Sequence, residues 1–351
     1  MEQLNFYGLA ALITFVSVFV LTLLGVKFFP KLKMLDRPEK YGLKRAPIPY
    51  FGGILFFVPF VILVLVFCGI SNEILGFLIA ASLIAMTGLL DDKFNISPWV
   101  RLFVQIVSGL IIAVFGLGIL SITNPFGGVI DLNTVSVYGV PLLGALFTIF
   151  WVVLVTNTMN FLDGVPGLSS GVSFISSFTI FFLSIRPGIH ADLASQQTVA
   201  TISIILAFCC LAFLIFDFPP VKILMGNVGS NFLGFVLAAL AIFSGGKVAT
   251  AFLVLGVPIL DAAWVILKRI FEGRKPWKGG DYKHLHHRLL ALGLSEKNVL
   301  FVVYVLCLIF GATAVLCTNA QQKFFVLIGL LILMLLIVSG IVVFSRRLSK
   351  K

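Results

Sequence analysis

The chain has 351 residues, of which 60% are hydrophobic and only 11% charged, yet its formal net charge is +11. So little charge excludes a disordered chain and argues against a water-soluble enzyme. Apolar stretches of about 17 to 25 residues recur along the whole length, the span that ~30 Å of hydrocarbon requires, so the expected fold is an all-α polytopic membrane protein. No basic, aromatic-rich soluble segment is present, which argues against nucleic acid as a partner.

Eleven transmembrane helices are expected, near residues 6–29, 51–70, 73–90, 99–122, 141–159, 167–185, 198–216, 229–245, 248–267, 297–317 and 324–344. The first is too long for a signal-peptide core and lacks a small-residue cleavage site. Of the 25 Lys and Arg, only Arg186, Lys247 and Lys323 fall in loops on one side, so the positive-inside rule sets the N-terminus outside and the C-terminus in the cytoplasm. The basic face then meets anionic membrane lipids and phosphorylated substrates. The five Cys lie in or beside apolar segments without metal-like or disulfide-framework spacing, and read as small core residues. One integral-membrane domain, 1–351, is the simplest organisation, with 268–297 as a cytoplasmic His/Arg-rich loop inside it.

Polar clusters all fall on the cytoplasmic side. Between the first two spans, Leu35-Asp36-Arg37-Pro38 leads through Pro47-Ile48-Pro49 to Gly52-Gly53, where the spaced prolines favour a stiff extended backbone. The third span ends on Asp91-Asp92. Ionisable residues at this depth cost roughly 2.5–3.5 kcal/mol on the mildest scale, so a pair signals function. Ser97-Pro98 then reads as the N-cap and first turn of the next helix. Asn157, Asn160 and Asp163 recur every three residues at the end of the fifth span, a helical stripe suited to a hydrated cation or nucleotide, or to interhelical hydrogen bonding. Gly226-Asn227-Val228-Gly229-Ser230 opens the eighth span, where backbone N–H groups can meet a phosphate.

The 268–297 loop holds His284, His286, His287 and Arg288 among many Lys and Arg. In one helical turn His284, His287 and Arg288 would share a side and hold a diphosphate. Zinc fits poorly because no Cys or carboxylate at zinc spacing accompanies them. His190, in an outside loop, receives no role. Together, the carboxylates and amides suit Mg²⁺ and the cations suit a diphosphate, which suggests phosphoryl transfer at the membrane surface.

At these residues the sequence resembles the polyprenyl-phosphate N-acetylhexosamine-1-phosphate transferase family, in its bacterial WecA/TagO-like branch, over nearly the whole chain. The likeness runs through Leu35 to Pro38 with Pro47-Ile48-Pro49 and Gly52-Gly53, Gly88 to Asp92 with Phe94 and Ser97-Pro98, and Asn157 to Gly167. It continues in Met225 to Ser230 with Phe232-Leu233-Gly234, Pro258 to Asp261, and His284 to Leu290.

The resemblance implies transfer of N-acetylhexosamine-1-phosphate, GlcNAc-1-phosphate foremost, from a UDP-sugar to undecaprenyl phosphate. UMP is released, and lipid-linked cell-envelope glycan synthesis begins. It implies the bacterial cytoplasmic membrane, an active site on the cytoplasmic face, and Mg²⁺ as cofactor with Mn²⁺ as a substitute. It also allows a homodimer. Asp91, Asp92 and Asp163 match catalytic positions. Asn157, Asn160, Leu224, His284, His286, His287 and Arg288 match substrate-binding positions. Asp163, Asn227 and Asn160 match metal positions, although the family usually has Asp where this chain has Asn227 and often an aromatic at Leu224. The alternatives are a phospho-MurNAc-pentapeptide transferase, a catalytically weakened lipid-phosphate-binding paralogue, and an ion transporter, which would put its acids near mid-membrane as with Asp261 alone.

Overall fold

The computed structural model describes residues 2–41, 45–186, 193–243, 248–273 and 284–348. Residues 274–283 of the expected His/Arg-rich loop and His190 therefore lie outside the described residues. The chain is a helical polytopic assembly. Its helices are α1 (Glu2–Phe28), α2 (Gly53–Cys68), α3 (Asn72–Phe94), α4 (Pro98–Val114), α5 (Leu142–Leu162), α6 (Leu168–Ser184) and α7 (Leu193–Asp217). They continue with α8 (Gly226–Phe243), α9 (Val248–Val254), α10 (Gly256–Phe271), α11 (Leu285–Ala291), α12 (Glu296–Leu316) and α13 (Ala320–Leu348). Among the described residues, seven helices are long and apolar enough to cross a membrane by length and composition, and α2, α4 and α6 are shorter apolar helices.

Local chemistry explains the boundaries. Ser71 accepts from the N–H of Ile74 to start α3, and Asn95 ends it in the left-handed region at φ 56°. Ser97 caps α4 by accepting from Trp99 N–H, with Pro98 in the first turn, as the sequence predicts. The expected ninth span is instead broken at Leu255 into α9 and α10. Pro258 supplies the cause, since its ring removes one helical N–H and crowds the carbonyl four residues back, at Val254.

Two short antiparallel hairpins join α4 to α5, a departure from a purely helical expectation: β1 (Ser121–Thr123) with β2 (Val129–Asp131), and β3 (Ser136–Val137) with β4 (Val140–Pro141). Tyr138 and Gly139 between β3 and β4 both have positive φ, 50° and 79°, the backbone that a two-residue hairpin turn needs.

At the centre stands α8, almost wholly buried and in contact with α2, α3, α5, α6 and α7. Phe56 and Phe60 pack on its Phe232 and Phe77 on its Phe235, with Phe213 behind Phe56, and Trp151 of α5 donates to the carbonyl of Ala238 at 3.1 Å. Glycines permit close approach to α8: a Cβ on Gly53 of α2 would lie 2.3 Å from Gly229 N, and one on Gly88 of α3 would lie 2.6 Å from the Asn227 carbonyl oxygen. The outer helices expose Leu9, Leu12, Val16, Phe103, Phe150 and Phe301, a surface suited to lipid. The end of α3, the end of α5 and the start of α8 thereby meet at one end of the bundle, opposite the hairpins.

Candidate active site

The loop before α2 is built as its prolines suggest. Met34, Asp36, Ile48 and Tyr50 exchange backbone hydrogen bonds, and Leu224 donates to the Pro49 carbonyl while accepting from Gly52 N–H, each at 2.9 Å. Asp36 fixes this turn by accepting from Arg45 and from Ile48 N–H at 2.8 Å. A cleft of about 330 Å³ opens beside it, lined by Asp36, Arg37, Pro38, Glu39 and Pro47. The consequence is that Tyr50 is delivered to the acidic pair, where its hydroxyl donates to Asp92 Oδ1 at 3.0 Å.

The two acids differ in their partners. Asp92 accepts from the backbone N–H of Asn227 at 2.9 Å and of Val228 at 3.0 Å, so it caps the N-terminus of α8. Gly226, at φ 72°, is required beside it, because a Cβ would stand 2.5 Å from Asp92 Oδ2. The glycine-rich turn expected to present N–H groups to a phosphate has thus given two of them to Asp92. Asp91, 6% exposed, accepts from Arg101 of α4 at 2.8 Å and from the Asn227 side chain at 3.0 Å. Both donors meet the same oxygen, Oδ2, where the ion pair with Arg101 offsets the buried charge.

The stripe on α5 divides between two neighbours. Asn157 donates to Gln105 of α4 at 2.7 Å and to the Val153 carbonyl at 2.8 Å, tying α5 to α4. Asn160 donates to Asn227 at 2.8 Å and to Ser230 at 3.0 Å, tying α5 to α8. Asp163 follows the helix as its C-cap. Its carboxyl is pushed well above the usual carboxylate range by burial first, then by the charges of Asp217 and Asp92, against a hydrogen bond with Ser230. Asp217, buried at the end of α7, accepts from Gly167 N–H at 3.0 Å and from Ser170 at 2.6 Å, and so anchors the turn that follows Asp163.

The histidines lie against that turn. Asp261 of α10 pairs with His284 Nδ1 at 2.8 Å and accepts from Leu285 N–H at 2.8 Å, pinning the start of α11. His284 is the residue before the helix, so it does not share a helical face with His287 and Arg288 as the spacing suggests; its ring instead packs near Phe161 and parallel to His286. His286 is 1% exposed, and among the described residues neither of its ring nitrogens has a hydrogen-bond partner. Burial, then His287 and His284, hold its pKa down to about 2, so it is neutral. A Cβ on Gly164 would come within 2.7 Å of His286 Nε2 and 3.3 Å of His287 Nε2. Asp163 and the histidine cluster are therefore neighbours.

Sequence reasoning passed over Tyr50, Arg101, Gln105, Ser230 and Asp217 as partners. Arg101 and Asp217 did carry a signal, since each is an ion beside or inside an apolar run.

Among the described residues no group of three His, Cys, Asp or Glu forms a metal cluster. The carboxyl of Asp163 and the Ser230 hydroxyl beside it are hard oxygen donors, the ligand type that Mg²⁺ prefers. These features define a polar, acid-rich site at one end of a membrane-type helical bundle.

Comparison with known proteins narrows the class. The profile of Glycosyl transferase family 4 matches residues 74–245. A Bacillus subtilis (strain 168) protein, "Probable undecaprenyl-phosphate N-acetylglucosaminyl 1-phosphate transferase", is 30% identical over 345 residues, 95% of this chain and 92% of that protein. The Mycobacterium leprae (strain TN) "Decaprenyl-phosphate N-acetylglucosaminephosphotransferase" is 28% identical over 366 residues, 95% of this chain and 89% of that protein. A "Phospho-N-acetylmuramoyl-pentapeptide-transferase" of Streptococcus thermophilus (strain CNRZ 1066) is 30% identical over 326 residues, 82% of this chain and 89% of that protein. The chain belongs to the polyprenyl-phosphate N-acetylhexosamine-1-phosphate transferase family, and is an enzyme of the glycosyl-1-phosphate transferase type.

Proposed function

We propose that the protein transfers GlcNAc-1-phosphate from UDP-GlcNAc to undecaprenyl phosphate at the cytoplasmic face of a bacterial inner membrane, in one domain with eleven crossings, α9 and α10 together forming one. The N-terminus is outside and the C-terminus inside, as the Lys and Arg distribution requires. An oxygen of the lipid phosphate bonds to the β-phosphorus of the donor, the bond from that phosphorus to the bridging oxygen breaks, and UMP leaves with the electron pair. The observation that carries this reading is the convergence of Asp91, Asp92, Asn160, Asp163 and Asn227 on one end of the bundle, beside a buried His286 whose two ring nitrogens have no partner among the described residues.

The lipid phosphate is already largely dianionic near pH 7, so it needs orientation more than a strong base. Asp92 supplies orientation by fixing the start of α8, and Asp91 does so with Arg101 as its counter-ion. Asp163 and Asn160 are the groups to hold Mg²⁺, which when bound neutralises the donor diphosphate and the leaving UMP. His286 and His287 face the donor beside Asp163, with Arg288 contributing fixed charge. Leu224 lies on the backbone ladder near Gly52, where a nucleobase can rest against it. Incubating the purified enzyme with Mg²⁺, undecaprenyl phosphate and separate UDP-sugars, then measuring UMP, tests reaction and donor together. Product from UDP-MurNAc-pentapeptide alone would move the enzyme to the other branch.

A further inference from the structure

Asn227 stands where α3, α5 and α8 converge, and every polar atom it owns is engaged. Its Nδ2 donates to Asp91 Oδ2 at 3.0 Å, its Oδ1 accepts from Asn160 Nδ2 at 2.8 Å, its backbone N donates to Asp92 Oδ1 at 2.9 Å, and its carbonyl accepts from Asn231 Nδ2 at 2.9 Å. An ionised carboxylate can only accept, so Asp91 fixes the nitrogen end of the carboxamide toward α3 and leaves the oxygen end for α5. Ser230, one turn further along α8, closes the link by taking the second proton of Asn160 at 3.0 Å.

Three helix ends are thus cross-linked through one neutral side chain. Arg101 and the uncharged amide of Asn227 both meet Asp91 at Oδ2, at 2.8 and 3.0 Å, so Arg101 balances its charge while the amide adds a link and no charge. We propose that Asn227 is a positioning residue, a neutral clamp that holds Asp91 and Asn160 in register in the absence of metal, and not itself a cation ligand. A carboxylate at this position would face Asp91 across a hydrogen-bond distance with no proton to share, and would repel it. With both acids ionised, a cation between them would restore the link, so the test is run above pH 7, where a shared proton does not take its place. The clamp preorganises the acidic end of the site before the donor brings its diphosphate and metal, and in that sense the inference rests on the proposed reaction.

The test uses the full chain in nanodiscs, with thermal unfolding followed by tryptophan fluorescence and no substrate present. Wild type, Asn227→Asp and Asn227→Ala are compared in EDTA and in Mg²⁺ alone. The wild type is expected to melt at the same temperature in both. Asn227→Asp should melt lower in EDTA by about 3 °C and recover in Mg²⁺, a response that mere space-filling would lack. Asn227→Ala should melt lower in both. An Asp variant as stable as wild type in EDTA, one that Mg²⁺ does not rescue, or a wild type stabilised by Mg²⁺ as much as the variant overturns the proposal. Should the Asp variant fail to fold, Asn160→Ala and Asn227→Ala decide the matter: their effects should be non-additive in the double variant, and additive effects refute the clamp. No turnover enters these measurements, so a failed transfer assay leaves them intact, and their failure leaves the transfer reaction standing.

Discussion

Replacing Asp92 by Asn keeps the side chain's shape and removes one acceptor oxygen and one charge. Asp92 Oδ1 serves Asn227 N–H and the Tyr50 hydroxyl, and Oδ2 serves Val228 N–H. Whichever oxygen becomes NH₂, at least one N–H at the start of α8 faces a donor. A buried unsatisfied donor costs about 1–3 kcal/mol, and losing a carboxylate from a helix N-terminus costs about 0.3–1 kcal/mol more. The expected destabilisation is therefore roughly 1.3–4 kcal/mol, whereas Tyr50→Phe, which deletes one contact to the same carboxylate, should cost about 1 kcal/mol. Unfolding of the nanodisc-embedded protein, measured alongside turnover, checks this. Stability and turnover should fall together in Asp92→Asn, with Tyr50→Phe between it and wild type. If turnover collapsed while the melting temperature stayed put, Asp92 would act on the substrate directly and not through α8.

Three further outcomes are expected. Arg288→Ala should raise the KM for the UDP-sugar roughly tenfold, on the order of 1.4 kcal/mol, with little change in the response to lipid phosphate; a shift confined to the lipid would reassign the loop. Because the folded pKa of His286 lies below that of the unfolded chain, stability is lost as pH falls from about 6.5, by about 1.4 kcal/mol at about pH 5.5. His286→Gln, which cannot titrate, should lack that part of the acid sensitivity, and identical melting profiles for both proteins would contradict the neutral assignment. Asp163 must be ionised to hold a cation, so the acid limb of the rate profile should sit above the ordinary carboxylate range and move to lower pH as Mg²⁺ rises. An acid limb indifferent to Mg²⁺ would separate Asp163 from the metal.

Much of this arrangement was legible in the sequence because it is written in rare residues. Asp91, Asp92 and Asp163 stand out against apolar runs, and Ser97-Pro98 announces the start of α4 on local chemistry alone. What could not be read is pairing across helices. Nothing in the order of residues says that Arg101 neutralises Asp91, that Asp261 holds His284, or that Asp217 anchors the turn after Asp163, because each pair joins helices that meet only on folding. The glycine-rich turn before α8 misled for a related reason. Its N–H groups look free for a phosphate until Asp92, 135 residues away in the chain, is found bonded to one of them. Helical spacing likewise grouped His284 with His287 and Arg288, but α11 begins one residue too late for that face to include it.

Release of UMP from UDP-GlcNAc by the purified enzyme, supplied with undecaprenyl phosphate and either Mg²⁺ or EDTA, tests the central claim most directly. The account predicts UMP and lipid-linked product in equal amounts with Mg²⁺, none in EDTA, and recovery on adding Mg²⁺ or Mn²⁺. Full turnover in EDTA, or no UMP with any UDP-sugar in the presence of lipid phosphate and metal, would contradict it.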